Sequence, residues 1–431
     1  MVSEGVDSRK NHGLFVLCTL TIISVFVRSI PVIVIALAIL LFQFIFQNKY
    51  DRSVVLMLIS AVLGAYFSNI GIPYVGVALM LYSGFVLLPD LFQKQFLLIK
   101  PIRNTIVVLI FLLFSVLLTS GGDFAINKYT STWLTAVQFL IAFSHILLCP
   151  NKHDGLSLSL VFLAYAAFML CFLSDRMGGL SITDVLSFGS FRSDYNEIKS
   201  DGYVYNYQII GLYALWGFCF YFMRNNQKLD KKGWFILICC ALIVLCSQSR
   251  QSMLSFVLLI IFFMIDINGI NMRSILILFA FALIVYLWYD SLDNEVADFI
   301  SGQDEFEISS MRSIIRKSAI NDFLKHPVFG VGYGRFYFSY GYGVNIHNII
   351  LEVLAETGLL GMMVLGILSY NSFKSVSKDS LSGELKWLTA IMIALLIRLM
   401  VSSDLREGIS LFVIIFLLSS VKYSYNGYRI N

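Results

Sequence analysis

Apolar runs follow one another along almost the whole of this 431-residue chain, and they dictate the solvent in which it can fold. An α-helix needs about 20 apolar residues to cross about 30 Å of hydrocarbon. On that measure about fourteen runs are predicted as membrane-spanning helices, near 14–27, 31–47, 54–71, 74–91, 104–119, 133–149, 156–173, 205–223, 234–247, 252–267, 274–289, 347–370, 386–402 and 408–422. Apolar residues make up 58% of the chain and charged residues 13%. A water-soluble domain carries about 25% charged residues, and a globule of this size could not hide so much apolar surface from water. A soluble enzyme, a secreted disulfide scaffold, a disordered chain and a nucleic-acid reader are thereby excluded. The fold class expected is an all-α polytopic integral membrane protein of 12–14 spans, one membrane domain over 1–431, with the lipid bilayer as its first partner.

The seven cysteines lie in or at the ends of apolar runs, with neither a disulfide framework nor a zinc spacing, and read as packing residues. No small-x-small cleavage site follows the first run, so it reads as a retained span.

Lys and Arg set the orientation. With the N-terminus inside, the inner segments hold most of the basic residues, including Arg9, Lys10, Lys49, Arg52, Lys94, Lys100 and Lys152. The short outer turns are nearly bare: the turn at Gly71–Pro73 has none, and the one near Gly121 has only Lys128. Fourteen spans then place both termini in the cytoplasm. Two outer segments are long, 174–204 with Arg176, Arg192 and Lys199, and 290–346 with Arg312, Arg316, Lys317, Lys325 and Arg335. Long connections in a compact protein are functional or disordered, and the aromatics in these two favour folded, functional segments on the outer face.

Four groups of residues could carry chemistry there. Ser247–Ser252 is a polar island between apolar runs, and the run before it, from Trp234 to Cys246, is short for a full crossing. Arg250 is therefore expected to be recessed in the membrane, where an Arg is costly unless it faces a cavity or an anion; the plainer reading is a turn residue reaching the headgroups. A helix is expected over 311–325, stopped by Pro327. Arg312 and Arg316, spaced i, i+4, share one of its faces, and two guanidiniums suit either a diphosphate or lipid headgroups. The run Gly330-Val331-Gly332-Tyr333-Gly334 reads as a tight turn with close backbone packing rather than a nucleotide loop. His347 opens a span in which Asn348, Glu352 and Glu356 recur every four residues, so the two carboxylates would lie about 7 and about 13 Å below it. A His at the mouth fits a general base, and structural hydrogen bonding is the competing role. Arg192, Tyr333, Arg335, Glu352 and Glu356 are further candidates for contacts to an acceptor or glycan. The acidic residues between Asp290 and Glu307 are irregularly spaced and read as solvated, not as a metal site.

Taken in order, Ser-Gln-Ser-Arg250 between two spans, Arg312 before His-Pro-x-x-Gly-x-Gly (His326 to Gly332), and His347-Asn348 followed by Glu356-x-Gly358-Leu-x-Gly361 resemble the O-antigen ligase/polymerase superfamily. The resemblance covers about residues 240–365 by motif. It implies a GT-C-type glycosyltransferase of the bacterial inner membrane, active at the periplasmic face on sugars carried by undecaprenyl diphosphate. In those terms Arg250 and Arg312 would engage the diphosphate, and His347 would orient or deprotonate the acceptor hydroxyl; Arg316, on the same face as Arg312, is a further candidate for the diphosphate. The reaction would invert the anomeric carbon with no cofactor and no metal. Two arginine-bearing outer loops and about fourteen spans favour a Wzy-type O-antigen or capsule polymerase over a WaaL-type ligase. A polymerase would take a lipid-linked oligosaccharide as both donor and acceptor, and would be expected to work with a Wzz-type chain-length co-polymerase. The rival from another class is a polysaccharide transporter or flippase, which would place buried charges at the midplane.

Overall fold

The computed structural model describes residues 19, 48–69, 74–119, 122–176, 207–222, 230–247, 249–268, 308–336, 346, 348–374, 384–401 and 405–427. These form twelve α-helices and one short 3-10 turn: α1 (Lys49–Asn69), α2 (Val75–Gln93), α3 (Gln95–Thr119), α4 (Gly122–Leu148), the turn Pro150–Lys152, α5 (Gly155–Arg176), α6 (Tyr207–Phe222), α7 (Lys231–Cys246), α8 (Arg250–Asn268), α9 (Ile308–Lys325), α10 (Ile349–Phe373), α11 (Glu384–Val401) and α12 (Leu405–Gly427). Among the described residues four stretches are long and apolar enough to cross a bilayer: Val75–Gln93, Leu97–Leu118, Gly122–Leu148 and Ile349–Phe373. Gly155–Leu170, Ile209–Phe222, Gln251–Phe263, Trp387–Met400 and Glu407–Ser419 are shorter apolar stretches. The spans expected at 14–27 (apart from Thr19), 31–47 and 274–289 lie outside the described residues.

Length and residue type explain the helices. α2, α3 and α4 are runs of Leu, Val, Ile and Phe with few Gly or Pro interruptions, and each exposes large apolar side chains, among them Phe85, Ile110, Leu117 and Trp133. In water such exposure would be a liability, whereas in lipid it is the expected outer surface. Local capping fixes several starts. The Asp230 carboxylate accepts from the Gly233 N–H at 2.7 Å and begins α7. The Asn348 side chain accepts from the Ile350 and Leu351 N–H groups, both at 3.1 Å, and begins α10.

The chain divides into two compact units. One comprises Met1–Gln95, Ile141–Ile260 and Leu381–Ala394, and the other Phe96–Leu140, Ile261–Ser380 and Leu395–Asn431. In the first, α1 packs on α2, and α5, α6 and α7 pack together. Its core is aromatic: Trp216 meets Phe162 edge-on at 5.6 Å and Phe143 edge-on at 6.0 Å, while Trp387 stacks on Phe143 at 5.9 Å. In the second, α9 and α12 each pack on α10. Ile315, Ala319, Phe336, Ile346 and Ala355 form a small buried cluster that fastens α9 to the first half of α10.

Candidate active site

α10 is not one rod. At Gly358 the backbone turns to φ 66°, ψ −164°, which breaks the helix into a short upper piece and a longer lower one. A break frees helical N–H and C=O groups, and at membrane depth these must find protein partners. The segment after α9 supplies them. The Val331 N–H donates to the Ala355 carbonyl (2.8 Å) and the Gly332 N–H to the Glu356 carbonyl (3.0 Å). On the far side of the break, the Leu359 N–H donates to the Pro327 carbonyl (2.8 Å) and the Leu360 N–H to the Val328 carbonyl (3.1 Å). Four backbone bonds thus graft the His-Pro-x-x-Gly-x-Gly turn into the gap of Glu-x-Gly-Leu-x-Gly.

Glycine is required on both sides of this graft. Gly330 and Gly358 have φ of 69° and 66°. A Cβ on Gly330 would lie 2.6 Å from the Ala355 carbonyl oxygen, and one on Gly358 would lie 2.6 Å from the Gly330 nitrogen. The glycine run is thus a close-packed turn, as its sequence suggested. A third glycine, Gly334, rests against Ala125 of α4.

Between Gly332 and Gly334 the chain delivers Tyr333 into the interior, fully buried. Its N–H donates to the Ser115 hydroxyl of α3 at 3.0 Å, and its own hydroxyl meets that of Thr132 on α4. One turn before Thr132 stands Lys128. Its ammonium lies 2.6 Å from Glu352 Oε1 and 2.8 and 3.0 Å from the two oxygens of Glu356, and 4.9 Å from the Tyr333 ring centroid. Lys128 is 7% exposed and each glutamate 1%. The four-residue spacing expected to align Asn348, Glu352 and Glu356 does so: Asn348 caps the helix, and both carboxylates turn to one cation. A buried Lys holding two carboxylates and facing an aromatic ring is a rigid polar centre. It joins α4, α10 and the glycine turn just below the residue at which α10 begins.

The other residues singled out from the sequence are distributed as follows. Arg316 and Arg335 are exposed, Arg316 on α9 and Arg335 just after the glycine turn. Arg312 lies on α9 one turn before Arg316, and Arg250 is the first residue of α8. His347 and Arg192 lie outside the described residues, as does most of the 174–204 segment. Around Arg250, Ser247, Ser249, Gln251 and Ser252 are all buried within the protein. The Ser249 hydroxyl receives the Ser252 hydroxyl at 2.9 Å and the Ser252 N–H at 3.3 Å, which caps α8. Gly211 of α6 passes so close to Ser252 that a methyl there would overlap it. Lys128 is the member of the site that sequence reasoning missed. The available signal was its position near the start of a span, where a lone ammonium needs a partner.

A second buried polar chain lies in the other unit. The Asp51 carboxylate meets His153 Nδ1 at 2.7 Å, His153 Nε2 meets His145 Nδ1 at 2.7 Å, and His145 Nε2 meets Asp90 at 3.1 Å. Lys152 closes the chain on Asp90 at 2.6 Å. That hydrogen bond is the main reason the Lys152 ammonium holds its proton above the usual lysine range. Tyr50 stacks on His145 at 5.4 Å.

Residues 235–366 match the family model described as O-antigen ligase. No curated protein gives a significant match. The matched stretch runs from α7 through α10 and supports the O-antigen ligase/polymerase superfamily without separating polymerase from ligase.

Proposed function

We propose that this chain is an undecaprenyl-diphosphate-dependent glycosyltransferase of the inner membrane, a polysaccharide polymerase that moves a growing lipid-linked glycan onto a new lipid-linked repeat unit at the periplasmic face. The observation that supports a glycosyltransferase of this superfamily is the matched stretch, residues 235–366, which encloses Arg250, Arg312, Arg316 and His347; the choice of polymerase rests on the two arginine-bearing outer segments and the number of spans read from the sequence.

The donor is already activated by its diphosphate, so the protein must stabilise a departing anion and ready a nucleophile. In this reading Arg250, Arg312 and Arg316 receive the diphosphate, whose charge rises as the glycosidic C–O bond breaks; guanidiniums match phosphate oxygens two at a time. His347 takes the proton of the acceptor hydroxyl as that oxygen attacks the anomeric carbon from the opposite face, which inverts it. The Lys128–Glu352–Glu356 centre is structural support beneath this step, because it is too buried to touch a glycan. Arg335 and Arg192 remain the candidates for acceptor contacts.

The contacts also support the proposed topology. Asp51, Asp90, His145, Lys152 and His153 come from segments that the Lys and Arg count assigns to the cytoplasmic side, and they meet one another. Lys128, Tyr333, Glu352 and Glu356 come from segments assigned to the opposite side, and they too meet.

The test is an assay of purified protein with undecaprenyl-diphosphate-linked repeat units as the sole sugar substrate. A ladder of lengthening lipid-linked glycans is expected, lost in Arg250→Lys, Arg312→Lys and His347→Ala, since Lys keeps charge but not the bidentate fork. The second reading, equally compatible with the family match, is a ligase. Transfer only after lipid A–core is supplied would establish it. Full activity in all three variants would remove the site assignment.

A further inference from the structure

The backbone bonds between the glycine turn and α10 fix how deep that turn sits. At the other end of the same helix the Asn371 carbonyl accepts from the Lys100 ammonium at 3.2 Å, in an exposed position. From Asn371 up to the break at Gly358 is about 20 Å of helix, against a hydrocarbon core of about 30 Å. With Asn371 taken at the membrane boundary and α10 along the membrane normal, Pro327 and Val328, bonded to Leu359 and Leu360, lie about 10 Å inside the opposite boundary, although they belong to the segment expected to be an extramembrane loop.

Large apolar side chains are exposed at this level, beside the exposed polar Asn321 and His326. Below the break, Leu359, Met363, Ile367 and Tyr370 are exposed at three- and four-residue spacing, the lipid-facing stripe of a spanning helix. At its upper end the stripe continues onto another element. Val328 and Phe329 are 54% and 56% exposed, and on α9 Ile320 and Leu324, spaced i, i+4, are 43% and 66% exposed. The opposite side of α9 is the one that buries Ile315 and Ala319. Lys317 and Lys325 stand exposed beside the outward apolar pair. A helix with one face on protein, an outward apolar face and lysines flanking it has the build of an interfacial helix.

We propose that α9 and the Pro327–Phe329 turn form a re-entrant element embedded in the periplasmic leaflet. Ile320, Leu324, Val328 and Phe329 lie against lipid acyl chains, and Lys317 and Lys325 lie at the anionic headgroups. The irregular backbone of the turn is tolerated at this depth because α10 satisfies it. The inference rests on the membrane reading of α10 and not on the donor chemistry.

Substituted-cysteine labelling of the full chain in sealed proteoliposomes tests it, with unsubstituted protein giving the background from native cysteines. A water-soluble maleimide should modify Lys317→Cys and Lys325→Cys readily. Ile320→Cys, Leu324→Cys, Val328→Cys and Phe329→Cys should react slower by about tenfold or more, because the reactive thiolate forms only in water. All six side chains are exposed, so the substitutions leave the core untouched. Met363→Cys separates the two ways of failing. If it is protected while the four apolar positions label as fast as 317 and 325, the re-entrant element is refuted and the span survives. If Met363→Cys labels as fast as they do, the membrane reading of α10 falls as well.

Discussion

Replacing Lys128 by Met keeps most of the side chain's volume and removes its charge, leaving Glu352 and Glu356 facing each other in a buried site. Breaking a buried ion pair by deleting one partner costs about 3–5 kcal/mol. An upper bound per carboxylate follows from its escape route. It can take up a proton, which at pH 7 costs about 3.7 kcal/mol for a group that ordinarily titrates near 4.3. Two glutamates at 2.6 and 2.8 Å from the lost ammonium place the total at several kcal/mol, before the lost ring contact with Tyr333 is counted. The assay is the apparent melting temperature of the purified protein in detergent, read beside the triple variant Lys128→Met/Glu352→Gln/Glu356→Gln. The single variant should melt well below wild type. The triple variant, which has lost all three charges, should recover much of the difference, because replacing a complete buried ion cluster is far less costly than orphaning part of it. A single variant as stable as wild type, or a triple variant no better than the single, would refute the argument.

Gly358→Ala must place a Cβ at φ 66° against the Gly330 nitrogen, so it should sharply reduce membrane-inserted, monodisperse protein, while Gly366→Ala, with open space at its Cβ, should not; yields after size-exclusion chromatography decide between them. Asp51→Ala deprives His153 of its carboxylate and the Asp154 N–H of its acceptor, and should lower stability by about 1–3 kcal/mol in the same melting assay. Asp230→Ala removes the cap of α7 and should cost about 1 kcal/mol at neutral pH. Burial opposes the charge of Asp230, but the Gly233 N–H and the Tyr221 hydroxyl hold its carboxyl below the usual range. Its contribution should therefore be complete above about pH 4 and fade as the pH falls through the lowered value, so wild type and Asp230→Ala should converge in acid.

Most of the helices could be read from the sequence because a span announces itself locally. The 25-residue α10 and the stripe of Asn348, Glu352 and Glu356 needed only hydropathy and a four-residue count. The partner of that stripe did not lie within reach of any such count. Lys128 is separated from Glu352 by 224 positions, and no periodicity links α4 to α10. The break in α10 was half legible. Gly358 and Gly361 stand in plain view, but the run around them is apolar enough to read as continuous, and the carbonyls that fill the gap belong to residues 327 and 328. The glycine turn was recognised as close-packed, whereas its depth was not, because depth follows from which helix it bonds to rather than from its own composition.

The graft between the glycine turn and α10 also bears on how the protein is made. α10 carries two glutamates and an interrupted backbone, which make its upper piece an unfavourable guest in lipid on its own. Lys128, Pro327 and Val328, which neutralise the one and satisfy the other, all precede it in the chain, so each has left the ribosome before α10 does. The late helix thus arrives to a cation and a row of acceptors already synthesised, and its insertion completes a socket that the earlier helices have prepared.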